Sequence, residues 1–226
     1  MRPSLSALAL LTLALPAVAS AQRTVVDEGT LLISRNGAQV GRESFRFQSA
    51  ENGRYLTASS QAAFGAVKLN VPGLSVDSSS GAPLLYRVER QSPDAGVERL
   101  QATGRAGRLS AVAQRAGGES AKEYVFTGSA VILEEDVYHH YAMLALTGRM
   151  GPVTVVIPRR GVQRAGTIAE AGTGTVSIGG RAVTARHLTL QMGGEQHDVW
   201  VDRTGRLLKV TVAARGIEAI REEPPR

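Results

Sequence analysis

From Val25 onward the chain alternates apolar and polar residues with a period of two, and glycine-bearing turns interrupt the pattern about every 8–12 residues. A helix buries a stripe that repeats every 3.6 residues, so this pattern does not suit a helical bundle. It predicts a meandering antiparallel sheet or barrel.

The turns carry specific signals. Leu31-Leu32-Ile33 runs into Arg35-Asn36-Gly37 and then into residues 40–47. Asn-Gly between two β-rich runs predicts a type I′ hairpin, which needs positive φ at both central residues. On the second arm Glu43, Phe45 and Phe47 fall on one face, and Ser44 and Arg46 on the other. Residues 84–90, 98–103, 109–114 and 123–127 read as further strands. Residues 153–157 are apolar without alternation, as in a strand covered on both faces. Near the end, Asp202-Arg203-Thr204-Gly205 joins two strands, with Gly205 in the left-handed position of the loop. Val199 and Val201 then share a face with Leu208, Val210 and Val212, and Trp200 points the other way.

One segment breaks the period. Val137, His140, Tyr141, Leu144 and Ala145 recur at three- and four-residue intervals after Asp136, a favoured N-cap, and before Gly148, a suitable terminator. They predict an amphipathic helix of two to three turns across one face of the sheet. The fold class is therefore mainly β: a curved antiparallel sheet or half-barrel with one short amphipathic helix.

The N-terminus reads as a secretory signal: Arg2, an apolar run over residues 5–15, Pro16, then Ala19-Ser20-Ala21. The run is shorter than the roughly 18 residues of a membrane span. Cleavage after Ala21 would give a periplasmic or secreted protein without a transmembrane anchor. Residues 22–221 would form a single antiparallel β domain, and residues 222–226, with Pro224-Pro225, a disordered tail. The chain has no cysteine, so it has no lipoprotein anchor, disulfide, reactive thiolate or Cys-based zinc site. Its 26 Lys+Arg against 20 Asp+Glu are spread along the strands, and aromatics make up only 4%. A nucleic-acid groove needs clustered charge and stacking aromatics, so nucleic acid is not an expected partner.

Little in the sequence points to catalysis. Of the four histidines, His139 and His140 are adjacent and diverge by about 100° on a helix, and Leu144 stands where a zinc helix would carry its second histidine. The expectation is a solvated His139, and a His140 at the edge of the apolar stripe. Gly128-Ser129 lacks the second glycine of a nucleophile elbow. Asp27-Glu28 and Glu134-Glu135-Asp136 read as turn and cap residues, because adjacent carboxylates point apart. No catalytic residue, cofactor or metal site is assigned.

Trp200 has to be covered by a second layer, either the helix or the tail, or else be presented to an apolar ligand. With Tyr141 and Leu144 it forms the set of candidate ligand contacts.

The opening segment Gly29-Thr-Leu-Leu-Ile-Ser-Arg-Asn-Gly-Ala-Gln-Val-Gly and the closing Asp198-Val-Trp-Val-Asp-Arg-Thr-Gly-Arg-Leu-Leu-Lys-Val resemble the ends of periplasmic domains of unknown function. Those domains are similar in plan to lipoprotein-carrier half-barrels of the bacterial envelope. The resemblance implies a strongly curved sheet that wraps a helix and leaves an apolar concavity. The functional expectation is non-enzymatic binding of an apolar ligand or envelope component in that concavity. The alternative is a structural protein that pairs with an envelope partner through a sheet edge. A metal-assisted hydrolase built on His139, His140 and their acidic neighbours is the third reading.

Overall fold

A computed structural model describes residues 23–225, so the segment 1–21, expected from the sequence to be a signal, lies outside the described residues. Fifteen strands form one sheet. The first run comprises β1 (Thr24–Arg35), β2 (Ala38–Ala50), β3 (Tyr55–Phe64), β4 (Val67–Asp77), β5 (Pro83–Ser92), β6 (Gly96–Arg105), β7 (Arg108–Arg115) and β8 (Gly118–Val125). The second comprises β9 (Ala130–Ile132), β10 (Gly151–Ile157), β11 (Val162–Ile178), β12 (Arg181–Met192), β13 (Glu195–Val201), β14 (Leu207–Val212) and β15 (Ile217–Arg221). Each run is a meander of sequential neighbours, and antiparallel pairing of β1 with β15 joins them. Only β9 and β10 pair in parallel. No helix among the described residues is long and apolar enough to cross a membrane.

The turn chemistry follows the sequence. Asn36 and Gly37 take φ of 51° and 81° between paired Arg35 and Ala38, as a type I′ hairpin requires. Gly205 has φ of 87°, and the Asp202 carboxylate accepts the N–H groups of Thr204 and Arg206 across that loop.

The sheet curls until its two ends meet. Lys122 Nζ donates to the Gly161 carbonyl at 2.6 Å, and Gln163 Nε2 to that of Val125 at 2.8 Å. Tyr124 Oη donates to the Pro158 carbonyl at 3.3 Å. Side chains, rather than a backbone ladder, thus bring β8 against the start of β11.

The predicted helix is shorter and deeper than its sequence suggested. A 3-10 turn (His139–Tyr141) leads into α1 (Ala142–Leu146), and residues 137–144 are all buried. Asp136 does not cap it: its own φ is +60°, and neither N-cap residue, Tyr138 or Tyr141, caps its helical piece with its own side chain. Gly148, at φ 62°, does end the segment, donating to the Ala145 carbonyl. The segment is enclosed by the curled sheet, so it buries every side instead of one stripe.

A second difference arises at β13. The register slips between Trp200 and Val201, opposite Lys209 and Leu207. Leu207 therefore joins Val199, Val201, Val210 and Val212 in the inner core, and Leu208 turns outward beside Trp200. What covers Trp200 is neither the helix nor the tail. The far half of the β11–β12 hairpin lays Val176, Ile178 and Ala185 over Leu208, and Trp200 and Ile220 pack against that cluster.

Two opposite charges lock the join between the two meanders. Asp27 and Arg221 fall on inward-facing positions, and Arg221 Nη1 reaches the Asp27 oxygens at 2.9 and 3.0 Å and the Leu207 carbonyl at 3.1 Å. Its Nη2 donates to the Glu28 carbonyl. The guanidinium passes over Gly29, where a Cβ would stand 2.7–2.9 Å from it. Just beyond, Glu222, expected in a disordered tail, donates its N–H to the Thr30 carbonyl and pairs with Arg42.

Arg221 is buried and held by four acceptors, so it has no room to yield. Gly29→Ala is expected to destabilise the fold by about 1–3 kcal/mol. Urea unfolding of the two forms, read as a lower midpoint with unchanged slope, checks this.

Candidate functional site

The inner face of β2 carries Glu43 between buried neighbours, and Glu43 is itself fully buried. Its Oε2 accepts the N–H groups of Tyr138 at 2.7 Å and His139 at 3.2 Å, and its Oε1 accepts His139 Nδ1–H at 2.7 Å. The His139 ring stacks on Phe45 with centroids 6.2 Å apart and touches His140 at 4.5 Å. His140 meets the edge of Tyr86 at 5.4 Å. Burial, and then the neighbouring His139, hold the His140 pKa well below the usual histidine range.

His139 is thus not solvated, and His140 is not at an edge; both are enclosed. Among the described residues no three His, Asp or Glu side chains converge as metal ligands. Glu134 is not a cap either. It is buried, accepts the N–H groups of Glu135 and Arg159 at 3.1 Å each, and burial pushes its carboxyl pKa up to about 7.

The concavity is therefore filled by the chain's own residues 137–144. What stays open is its mouth, at the end where β1, β10, β12 and β14 finish. A cleft of about 260 Å³ lies there, walled by Arg35, Tyr138, Tyr141, His197, Val212 and Ile217. A second of about 390 Å³ adjoins it through Glu135, Arg160, Met192 and Arg215, and extends to Arg164 and Glu195. At the opposite end a cleft of about 490 Å³ lies beside Asp27 and Arg221, whose polar atoms are already engaged with each other.

A chain of contacts runs across the mouth. Tyr141 Oη lies 2.7 Å from His197 Nδ1, with the two rings stacked 5.8 Å apart. His197 Nε2 stands 3.7 Å from Glu195, which accepts both Nε and Nη2 of Arg215 at 2.8 and 2.6 Å. Burial raises the Tyr141 pKa, so the hydroxyl keeps its proton, and with no other acceptor in reach among the described residues it donates to Nδ1. The ring hydrogen of His197 then sits on Nε2. Burial and Arg215 lower the His197 pKa and keep the ring neutral. The hydrogen bond from Arg215 holds Glu195 below the ordinary carboxylate range.

The three residues expected to contact a ligand do not come together. Tyr141 lines the mouth, Leu144 is sealed in the inner core, and Trp200 stacks on His187 on the outer face with centroids 4.7 Å apart. Sequence reasoning missed His197, Glu195, Arg215 and Glu43 as a set. Parity had carried part of the signal: His197 shares the inward face of β13 with Val199 and Val201.

No family model matches the chain, and no curated protein matches it. Among solved structures it is similar to a β-barrel-like protein of a domain of unknown function, DUF1849, from Brucella abortus, with a TM-score of 0.54. The match covers 89% of this chain and 95% of that one, at 10% sequence identity. The fold is barrel-like. That likeness concerns architecture alone, and agrees with the mainly β, curved-sheet expectation.

Glu134 ties stability to pH. Its folded pKa, about 7, lies above the ordinary glutamate value of 4.5. Between those values the folded state holds more protons, so its contribution is fully present below about 4.5 and is lost as pH rises through about 7. The loss amounts to about 3 kcal/mol. Glu134→Gln should flatten that decline, and unfolding midpoints of both forms at pH 5 and pH 8 test it.

Proposed function

We propose that this is an exported, non-enzymatic binding protein that holds an apolar ligand or envelope component at the mouth of its curled sheet. The signal-like segment 1–21 supports export. The observation that carries the binding reading is the pair of adjoining clefts beside the seated plug, whose lining offers Tyr138, Tyr141, Met192 and Ile217. Their combined size falls within the range of small-molecule sites, about 300–1,000 Å³. Tyr141 protonated, His197 neutral and Glu195 ionised against Arg215 are each held in one state. That favours a positioning role for them over proton transfer.

Trp200 lies on the far side of the sheet, so its fluorescence is a poor reporter of this site. Calorimetric titration with monomeric dodecyl maltoside should instead show saturable one-to-one binding. Met192→Trp, which fills the shared floor, should weaken it at least tenfold with an unchanged circular dichroism spectrum. Absence of saturable binding in the unsubstituted protein would rule the reading out.

A specific feature also favours the sheet-edge reading. β11 pairs with β10 only as far as Ile168, so from Ala169 to Ile178 it has β12 on one side and no strand on the other. Residues 169–175 are all exposed, and Glu170 is the one charge among them. Exposed edges usually carry more protection than this. In the cysteine-free chain, Ala171→Cys and Thr173→Cys should crosslink to a neighbouring envelope protein, whereas Gln101→Cys on the outer face of β6 should not. Equal crosslinking from all three positions would count against it.

A further inference from the structure

The mouth contains a buried donor without an acceptor. His197 is only 2% exposed, yet its Nε2 has no hydrogen-bond partner, and the nearest carboxylate, Glu195, is beyond hydrogen-bond reach at 3.7 Å. Buried polar atoms in folded proteins almost always find a partner, so such an N–H is a place where a ligand acceptor fits. Nδ1 is already taken by Tyr141, which leaves the free hydrogen on Nε2; His197 lines the inner cleft, and Nε2 stands 3.7 Å from Glu195 of the outer one.

The outer cleft adds charge. Its walls bring Arg160, Arg164 and Arg215 together with Glu135 and Glu195. Arg160 pairs with Glu135, and Arg215 with Glu195. Arg164 reaches no carboxylate within ion-pair distance among the described residues, and its guanidinium lies over Gly193. One cation is therefore left over beside one unused N–H. Arginine meets carboxylates and phosphates with two parallel bonds, and a ring N–H adds a third direction. The inner cleft carries Arg35 and Asp136 at its walls and adds the apolar surfaces of Tyr138, Tyr141, Val212 and Ile217.

We propose that the two adjoining clefts together take the anionic head of an amphiphile, a carboxylate or phosphate, between Arg164 of the outer cleft and His197 Nε2 of the inner one, with its apolar tail along Tyr138 and Tyr141. This rests on the apolar-ligand reading given above and specifies the ligand's head. The head chemistry has two sources, a fatty-acid-like carboxylate and a lipid-like phosphate monoester.

The test is equilibrium dialysis of the full mature chain at pH 7.5 with dodecanoate, dodecyl phosphate, dodecanol and butyrate, all below their aggregation limits. At least one of the two long anions should bind tenfold or more tighter than dodecanol, and the better of them names the head. Arg164→Gln, at an exposed position, should reduce that preference below threefold. His197→Gln should do the same. Equal affinity for dodecanol and the long anions would overturn the head assignment and leave the apolar reading standing. Butyrate binding as tightly as dodecanoate would do the reverse. Binding of none of the four would remove both.

Discussion

The structure depends on one buried carboxylate. Taking Glu43 out of water costs several kcal/mol unless its oxygens are fully engaged. They are, by two backbone N–H groups and one imidazole from residues 95 and 96 positions further along the chain. The segment that supplies them fills the concavity of the sheet, so the carboxylate and the segment hold each other in place. Without the segment, Glu43 would face an apolar hollow alone. Without Glu43, the Tyr138 and His139 amides would be buried without that acceptor at the start of a 3-10 turn whose own N-cap side chain does not cap it. Asp27 and Arg221 do the corresponding work at the other end, where the chain's first and last strands meet.

Much of this was legible in the sequence because strand parity is local. Alternation placed Glu43 on the face of Phe45 and Phe47, and a charge on such a face needs a partner. The Asn36-Gly37 and Gly205 turns were equally local, and formed as expected. What failed was non-local or irregular. A one-residue slip between Trp200 and Val201 moved Leu208 to the outer face, and nothing in the run of residues announces a bulge. The stripe of Val137, His140, Tyr141 and Leu144 suggested a helix lying on a surface. Enclosure on all sides also buried Tyr138, His139 and Met143, and reversed the expectation that His139 meets water.

The candidate site was the least legible part for the same reason. Arg35, Arg160, His197 and Arg215 come from the ends of different strands or the turns after them, and only curling of the sheet gathers them at one rim. Tyr141 was singled out from its place on the helical stripe, and it does line the mouth. Its partner His197 stood on an inward parity beside Val199, a signal visible only once the sheet's two faces are known. Trp200 drew notice as an outward indole. It turned out to be covered by the chain itself, because β11 is long enough for its hairpin with β12 to fold back over the outer face.

A carrier of apolar cargo needs a hollow, and here the hollow is occupied by residues that cannot leave cheaply. Withdrawing the plug would strip Glu43 of all three donors and expose Val137, Ala142 and Leu144, each fully buried. Leaving buried donors and acceptors of this kind unsatisfied costs about 1–3 kcal/mol for each group, before any apolar exposure is counted. A ligand that bound in the concavity would have to offset that from its own contacts. The mouth asks for no such exchange, because its clefts are open beside Tyr138 and Tyr141 while the plug stays seated. Binding at the rim, with the interior sealed, is therefore the arrangement that this sheet and its plug allow at least cost.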